Sequence, residues 1–461
     1  MILGNGTYMK KCTKYACGLL VTLMLHFVFN ATVFSQSDDS LYVGKTWQIS
    51  KGLEFANHQY TDIPVYNSNG SLALIMDDKG NYYYSKSLDS SPVKIEFKNK
   101  PKGRVQWDSK NPDLLYYLSS KNSNSVINLL NLTTGEEREI YSTVNFISEI
   151  APAHPDGEHL LLAPKDQSES VMEIYSLKTD VSIKIPMDVP LHRVRFTKSQ
   201  NKLSVFVNRS SKLNKIKTSW LVDPLTKTKK EIYSGSSGSP NWRIGGELFC
   251  CRGEFNGGRA LLVIDTTGSV VKSFPEIIGH LLSWSPDGKY IVTDVEDDPA
   301  NKRKSKYSGW ICILNYDTGE INKIVRHGTK YENTDGEKYD AGYPKAQLSP
   351  DGTKVIYNST KLGIDHPQVF VSFVKHPESV KSAVAKREAQ KVIIEWQIPE
   401  SAELKESIVY SIHKNGKIEL TGSVNLPGTK LVTEYNPDVT GYNIVTKEYS
   451  GLASKPCLIK L

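Results

Sequence analysis

A strand–turn–strand unit that returns at nearly constant spacing constrains the fold of this chain more than any other feature. In residues 280–294, HLLSWSPDGKYIVTD, apolar and polar residues alternate on both sides of a Ser-Pro-Asp-Gly turn. Pro286 presets φ in that turn and Gly288 accepts a positive φ, while the alternation is typical of half-buried strands. The same unit returns at 346–357 as AQLSPDGTKVIY and at 150–163 as IAPAHPDGEHLLLA. The repeat predicts an array of β-hairpins.

Turns of this kind mark seven units along the chain. Successive turns are 43, 44, 44, 45, 42 and 64 residues apart, so each unit has room for four short strands. That period is the signature of a β-propeller blade. We therefore predict a seven-bladed β-propeller over residues 42–376. We also expect residues 42–50 to supply the outer strand of the last blade, which removes an exposed sheet edge. The turns fall at Gly70, Asp113, Gly157, Asn201, Gly246, Gly288 and Gly352.

The pattern changes near Glu378, where the hairpin period ends. Residues 391–396 (KVIIEW), 407–413 and 441–449 form short alternating runs without a cysteine pair, a pattern that predicts a small β-sandwich over residues 378–461. This region resembles a fibronectin type III module, with Trp396 as the core tryptophan, Tyr442 near the start of a late strand and SGLAS as the closing turn. The predicted fold class is therefore all-β, a propeller followed by a sandwich.

The first 35 residues have the pattern of a secretory signal peptide. Lys10, Lys11 and Lys14 precede an apolar run at 18–29, and a cleavage site before Gln36 fits the sequence. The run is short for a membrane span, so we predict a periplasmic or secreted protein with a Gram-negative-type leader. Removing this segment takes away three lysines and no acids, which lowers the net charge from +7 to +4. That balance suits an anionic ligand and gives little support for nucleic acid. We expect a monomer.

The four cysteines outside the leader do not have the spacing of a metal or redox site. We expect buried thiols at Cys250, Cys251, Cys312 and Cys457. A bridge from Cys312 to Cys250 or Cys251 stays open, because the predicted compartment is oxidising.

Catalytic signatures are absent from the sequence, so any chemistry must come from the propeller channel. There is no G-x-S-x-G elbow, P-loop, dinucleotide fingerprint, HExxH or EF-hand loop. The longest repeat unit carries about twenty extra residues, at 296–308 and 327–342. In a four-stranded blade both connections lie on the face opposite the SPDG turns. Long loops on one face of a rigid scaffold usually carry function, although plain surface decoration is the alternative.

Residues at the start of each innermost strand should meet at this decorated mouth. They combine imidazole, phenol, guanidinium and ammonium groups, which suit β-elimination from a uronic acid. A cation neutralises the substrate carboxylate, and a base and an acid move the protons. Glycoside hydrolysis would need two flanking carboxylates, and only Glu149 lies on the ring. We predict catalytic roles for His280, Tyr343, His192 and His58, and substrate binding by Lys345, Arg104, Arg193, Trp242 and Tyr60. Each of these residues alone is more often structural.

Three segments resemble the propeller polysaccharide lyases. They are GHLLSWSPDGKYIVTD, YPKAQLSPDGTKVIYNSTKLG (343–363) and ANHQYTDIPVYNSNGSLALI (56–75). The resemblance is to the oligogalacturonate lyases and, more distantly, the ulvan lyases. It spans about residues 42–376, although the SPDG hairpin is shared with Tol-type propellers.

The resemblance implies a manganese site that this sequence lacks in part. His280 matches one ligand histidine of the oligogalacturonate lyases. The other ligands of that family lie in a Gln-x-x-His-Pro-His run. In this chain Asp340 stands in place of the glutamine, and Tyr343 and Lys345 stand in place of the two histidines. We therefore expect that the manganese site is lost and that Lys345 supplies the positive charge. Tyr343 would then act as acid or base, the cofactor is unknown, and a structural divalent ion stays open.

Three functions remain open from the sequence. The first is an exported lyase that acts on an acidic polysaccharide or its oligomers. The second is a non-catalytic propeller of the cell envelope that binds glycan or protein. The third, a Tol-type periplasmic scaffold, is less favoured because only a leader precedes the propeller in the sequence.

Overall fold

The chain is described by a computed structural model that covers most of its length after residue 45. The described residues are 46–86, 88–164, 170–187, 191–199, 201–210, 217–234, 238–296, 304–329, 343–363, 366–399, 404–448 and 452–461. The predicted leader and most of both predicted insertions lie outside these ranges. No helix long and apolar enough to cross a bilayer occurs in the described part.

Antiparallel β-sheets make up the described structure, which confirms the all-β prediction. Among the described residues, seven sheets lie between Thr46 and Phe373, and we number them blade one to blade seven in chain order. Two further sheets follow. The propeller strands are β1 (Thr46–Gln48); β2 (Ala73–Met76), β3 (Tyr82–Ser85), β4 (Val93–Lys94); β5 (Lys102–Trp107), β6 (Leu114–Lys121), β7 (Asn124–Asn131), β8 (Glu137–Thr143); β9 (Glu149–Ile150), β10 (His159–Ala163), β11 (Ser170–Ser176), β12 (Val181–Met187); β13 (Leu191–Phe196), β14 (Val205–Ser210), β15 (Lys217–Val222), β16 (Lys229–Ser234); β17 (Gly238–Trp242), β18 (Leu248–Phe255), β19 (Gly258–Asp265), β20 (Val270–Phe274); β21 (Gly279–Trp284), β22 (Tyr290–Val295), β23 (Trp310–Asn315), β24 (Ile321–Arg326); and β25 (Gln347–Leu348), β26 (Lys354–Ser359), β27 (Gln368–Phe373).

The SPDG turns form as the sequence predicts, at the end of the innermost strand of their blades. In blade six the hydroxyl of Ser285 donates to Asp287 Oδ1 at 2.6 Å, and Gly288 has a φ of +70°. Blade seven repeats the arrangement with Ser349 and Asp351 at 2.8 Å. A side-chain bond across the turn together with a left-handed glycine is what makes this four-residue loop favourable.

The ring closes through the first strand of the chain. Strand β1 pairs antiparallel with β27 of blade seven, with Trp47 opposite Val371. The hydroxyls of Thr46 and Ser372 add a bond of 2.7 Å across the same pair. The predicted closing strand is therefore confirmed at Thr46–Gln48, and residues 42–45 of the predicted range lie outside the described residues. Closure hides an outer edge that would otherwise be free to pair with another chain.

Apolar side chains from neighbouring blades form the cores between them. Between blades five and six, Cys250 and Val263 pack with Leu282, Ile291 and Cys312. Among the described residues the four cysteines are free thiols, and all but Cys457 are buried, so no bridge joins these blades. Burial raises the pKa values of Cys251 and Cys312 to about 12.

Two sheets after residue 381 form the predicted sandwich. Trp396 and Tyr442 lie in its core, and the indole N–H of Trp396 donates to Ser407 Oγ at 3.1 Å. The sandwich contacts blade seven through a buried ion pair, in which Lys354 Nζ lies 2.5 Å from Glu448 Oε2. Its strands are β28 (Ser382–Glu388), β29 (Lys391–Gln397) and β32 (Lys430–Glu434) in one sheet, and β31 (Ile418–Asn425), β30 (Leu404–His413), β33 (Val439–Glu448) and β34 (Cys457–Lys460) in the other.

Candidate functional site

The innermost strands are irregular where the sequence predicts the functional ring. In blades two, four, five and six the pairing of the innermost strand with its neighbour shifts register near the start of the strand. Bulges of this kind re-aim side chains, and they are common beside active sites. The local backbone therefore turns the predicted ring residues out of the regular alternation. The shifts fall between Lys102 and Gln106, Leu191 and Arg193, Gly238 and Asn241, and Gly279 and Leu282.

Tyr60 lies at the centre of the predicted mouth, on a turn rather than on a strand. The amide of Ile63 donates to the Tyr60 carbonyl at 2.9 Å, which closes that turn. Blade one has no regular inner strand among the described residues; isolated bridges at Asn57 and Tyr66 take its place. The turn carries Tyr60 towards the other blades, and Gln347 of blade seven holds it by donating to its carbonyl at 3.0 Å.

Three cations from three other blades surround the Tyr60 ring. The centroid lies 4.3 Å from the guanidinium carbon of Arg193, 5.1 Å from that of Arg104 and 4.9 Å from Lys345 Nζ. These distances are within the range of cation–π attraction. The structure thus brings together four of the five residues that the sequence predicts to bind substrate.

Lys345 occupies an unusual backbone position in this cluster. It has a φ of +50° and is 4% exposed. Left-handed backbone is uncommon for a residue with a side chain, and it concentrates at functional sites. The ammonium therefore lies behind the Tyr60 ring, whereas Arg104, with 31% of its side chain exposed, is the cation that solvent reaches most easily.

His58 is buried beside this cluster. Its Nδ1 lies 2.9 Å from the carbonyl of Gln59, and its amide donates to Asn358 Oδ1 at 3.0 Å. Burial, reinforced by the charge of Lys345, lowers the His58 pKa to about 3. The imidazole is therefore neutral near pH 7, and its low pKa makes it a poor general base.

The remaining predicted residues divide between the mouth and the core. Tyr343 is buried just before Lys345. His192 and His280 lie on the inner strands β13 and β21, and their side chains lie outside the described part. Trp242 is not brought to the mouth. It is 2% exposed at the far end of β17, where its ring packs 5.5 Å from Phe206 and 5.1 Å from Phe249. This position fits a core side chain.

A network of ion pairs crosses the channel next to the mouth. Arg195 Nε lies 2.7 Å from Asp62 Oδ2, and Arg195 Nη2 lies 2.8 Å from Glu149 Oε1. The same Glu149 oxygen accepts from Arg104 at 3.1 Å. Burial by itself would raise the pKa values of Asp62 and Glu149, but the surrounding arginines hold both below their usual range. Four cations therefore meet two carboxylates, which leaves positive charge in excess.

Sequence reasoning missed Asp62 and Arg195. The signal for Arg195 was present, since Arg193 and Arg195 are two positions apart on a strand and share a face. Asp62 gave no such signal, because it lies on the irregular turn of blade one and its partner is 133 residues away.

A cavity of about 410 Å³ lies on the other side of the ion pairs. Its walls are the far ends of the innermost strands, including Trp107, Trp242 and Trp284, and the prolines of the hairpin turns. Asp62 and Arg195 also line it. This cavity thus opens towards the turn face, whereas the cationic cluster lies at the opposite mouth.

Solved structures similar to this chain are β-propellers. An oligogalacturonate lyase in complex with manganese is 17% identical, with a TM-score of 0.54, over 73% of this chain and 99% of its own. An oligogalacturonate lyase from Vibrio parahaemolyticus is 18% identical, with a TM-score of 0.57, over 75% and 95%. No protein-family model matches the chain, and the comparison with curated proteins found no similar sequence. At this identity the likeness shows the fold.

The residues at the mouth do not fit a manganese ion of the kind bound in that lyase. Lys345 and Tyr343 stand where the resemblance places two histidine ligands. Lys345 brings a cation of its own to within 4.9 Å of the Tyr60 ring. An ammonium group has no lone pair to offer a metal and repels it. We therefore derive no step through a metal at this mouth.

Proposed function

We propose that this chain is an exported enzyme that cleaves a uronic-acid-containing glycan by β-elimination at the Tyr60 mouth. The observation that carries the proposal is the ring of three cations around Tyr60, from blades two, four and seven. A carboxylated sugar is the ligand that such a mouth would favour. The aromatic ring offers a face for the sugar, and the guanidinium groups match a carboxylate.

The cations have a direct part in the chemistry. The C5 proton of a uronic acid becomes acidic only when its carboxylate is neutralised, because the anion left after proton removal must be stabilised. Arg104 and Arg193 are the candidates for contact with the carboxylate. Lys345, buried behind Tyr60, adds a positive field that needs no reorganisation during the reaction.

Proton transfer requires a base and an acid within hydrogen-bond reach of the sugar. We retain Tyr343, His192 and His280 as candidates and add the phenol of Tyr60, since it lies among the cations. We no longer propose His58 as a base, because its pKa is lowered to about 3. We instead assign His58 a positioning role, through its contacts with Gln59 and Asn358.

The test is the ultraviolet absorbance of unsaturated uronate ends. Residues 36–461 would be incubated with pectin oligomers, ulvan, glucuronan and glycosaminoglycans, each with and without a chelator. We expect a rise in absorbance on at least one substrate that survives chelation. A rise that requires added metal would show that our reading of the mouth is wrong. No rise on any substrate, combined with measurable glycan binding, would move the protein to the alternative class, a non-catalytic binding propeller of the envelope.

A matched pair of variants separates the mouth from general effects. Arg104→Met should weaken uronate binding about tenfold or more, as expected when a charge-assisted bond is lost. Arg387→Met is the control, because Arg387 also lies over a tyrosine ring, 3.6 Å from the centroid of Tyr435, but in the sandwich. Equal effects of both variants would contradict the assignment of the mouth.

A further inference from the structure

The hairpin turn of blade three differs chemically from its counterparts in blades six and seven. It reads His154-Pro155-Asp156-Gly157, where the others begin with serine. The strand that follows begins with His159, at the position of Tyr290 in blade six and Lys354 in blade seven. The hairpin of blade three therefore places two imidazoles around one carboxylate.

The three side chains converge on one carboxylate oxygen. Asp156 Oδ2 lies 2.8 Å from His154 Nδ1 and 2.7 Å from His159 Nδ1. The three ligand atoms all lie within 4.8 Å of one another. An ion about 2.1 Å from each atom would see the two nitrogen–oxygen pairs at angles of roughly 80–84°, near the right angle between neighbouring ligands in an octahedral site.

The backbone supplies an observation that points to a cation. The amide of Asp156 approaches His154 Nδ1 as a donor at 3.3 Å. A nitrogen that accepts a hydrogen bond presents a lone pair. His154 Nδ1 has one lone pair, and Asp156 Oδ2 also lies 2.8 Å from that nitrogen; two acceptor atoms at this distance need a proton or a metal ion between them, and a bound ion would take the place of the weak amide bond at that lone pair.

The site is fixed on one side and open on the other. His154 is 2% exposed, and its ring packs edge-on against Phe196 at 5.0 Å. Gly157, with a φ of +73°, completes the turn, and the Asp156 Oδ1 atom accepts from the amide of Glu158 at 2.7 Å. Asp156 and His159 keep 26% and 24% of their side chains exposed, so an ion could enter and keep water ligands. Two cations lie near the turn: Lys178 pairs with Glu158 at 3.3 Å, and the side chain of Lys110 packs against Gly157.

We propose that His154, Asp156 and His159 form a site for a divalent transition metal of the zinc class, at the hairpin end of blade three. Two imidazoles and one carboxylate are a donor set that Zn²⁺ accepts readily and that hard ions such as Ca²⁺ disfavour. The site is independent of the proposed lyase mouth, because it lies at the turn end of its blade.

The test is Zn²⁺ binding to metal-free mature protein at pH 7.5, measured by competition with a chromophoric chelator. We expect one equivalent in the wild type. His159→Ala and His154→Ser should each weaken it at least tenfold. His154→Ser restores the Ser-Pro-Asp-Gly turn of blades six and seven, so this variant keeps a turn that the chain already forms elsewhere. His366→Ala, at a histidine whose side chain is 53% exposed, is the matched control and should bind as the wild type does.

Lowering the pH to 5.5 should weaken binding, because ligand histidines must be deprotonated. The proposal is overturned if the wild type binds no Zn²⁺, or if the two variants bind as tightly as the wild type. The second outcome would place the metal elsewhere. His154 and Asp156 would then share a proton instead of a metal ion.

Discussion

The ion pair that crosses the channel makes a quantitative prediction about stability. Asp62 Oδ2 lies 2.7 Å from Arg195 Nε and 3.8 Å from Arg193 Nη1, and the Asp62 side chain is 4% exposed. Removing one partner of a buried pair costs about 3–5 kcal/mol, because the other charge is left uncompensated. Glu149 still faces Arg195 at 2.8 Å. We therefore expect Asp62→Ala to lower the free energy of unfolding by the smaller value, about 3 kcal/mol.

Urea unfolding of the mature chain, followed by tryptophan fluorescence, measures this change. The probes suit the question, because Trp107, Trp242 and Trp284 are buried at the ends of innermost strands. Asp62→Asn should cost less than Asp62→Ala, since the amide oxygen still accepts from Arg195. Asp223→Ala is the surface comparison; its carboxylate faces Lys202 at 3.8 Å and accepts from the amides of Leu225 and Thr226, so its loss should cost only about 1 kcal/mol.

A double-mutant cycle that combines Asp62→Ala with Arg195→Met tests whether loss of the ion pair causes the loss of stability. Neighbouring charges in one network should couple by about 1–3 kcal/mol, so the double variant should be more stable than the two single losses predict. The reasoning is refuted if Asp62→Ala costs no more than Asp223→Ala, or if the cycle shows no coupling. Channel water would then solvate the arginines, and the pairing seen in the structure would contribute little.

Three further measurements test the electrostatics of other regions. Lys345→Met should raise the pKa of His58 from about 3 while leaving it below 6.5, because burial is the larger cause; imidazole NMR titration measures this. Burial raises the pKa of Glu448 from 4.5 to about 7. The contribution of this carboxyl group to folding stability is therefore full below pH 4.5 and is lost as the pH rises through 7. The Glu448→Gln variant does not titrate in this range. Its free energy of unfolding in urea, relative to that of the wild type, should therefore rise by roughly 3 kcal/mol between pH 5 and pH 8. A difference that stays constant with pH would contradict the raised pKa. A thiol reagent should modify Cys457 quickly in the native mature chain, and all four thiols only after unfolding; four fast thiols would contradict the burial of the other three.

The fold could be predicted because its signal is local and repeated. Each hairpin carries its own turn residues, such as Pro286 and Gly288, and its own alternation, so seven weak signals at one spacing support one another. Closure by β1 also followed from a local rule, that an outer edge must be covered. The prediction was least accurate in blade one, where the turn at Tyr60–Ile63 replaces a regular inner strand.

The candidate site could be predicted in part, for a reason that lies in the topology. Strand starts in a propeller meet at one mouth, so the spacing alone brings Arg104, Arg193 and Lys345 together. It does not say which side chains turn inward, because bulges shift the alternation there. Trp242 shows the limit: we expected it at the mouth, among the residues that start the innermost strands, but it is the last residue of β17 and its ring packs on Phe206 and Phe249 in the core.

Under the proposed function, the ion pairs also restrict how a glycan could use the channel. Asp62 and Arg195 lie between the Tyr60 cluster and the cavity on the turn face, and they contact each other from blades one and four. A sugar that enters at Tyr60 meets these buried charges as a floor, and passing them would require breaking the pairs. A long chain therefore cannot thread through the propeller. It either lies across the mouth or inserts one end, and in both cases substrate and product share a single opening beside Arg104.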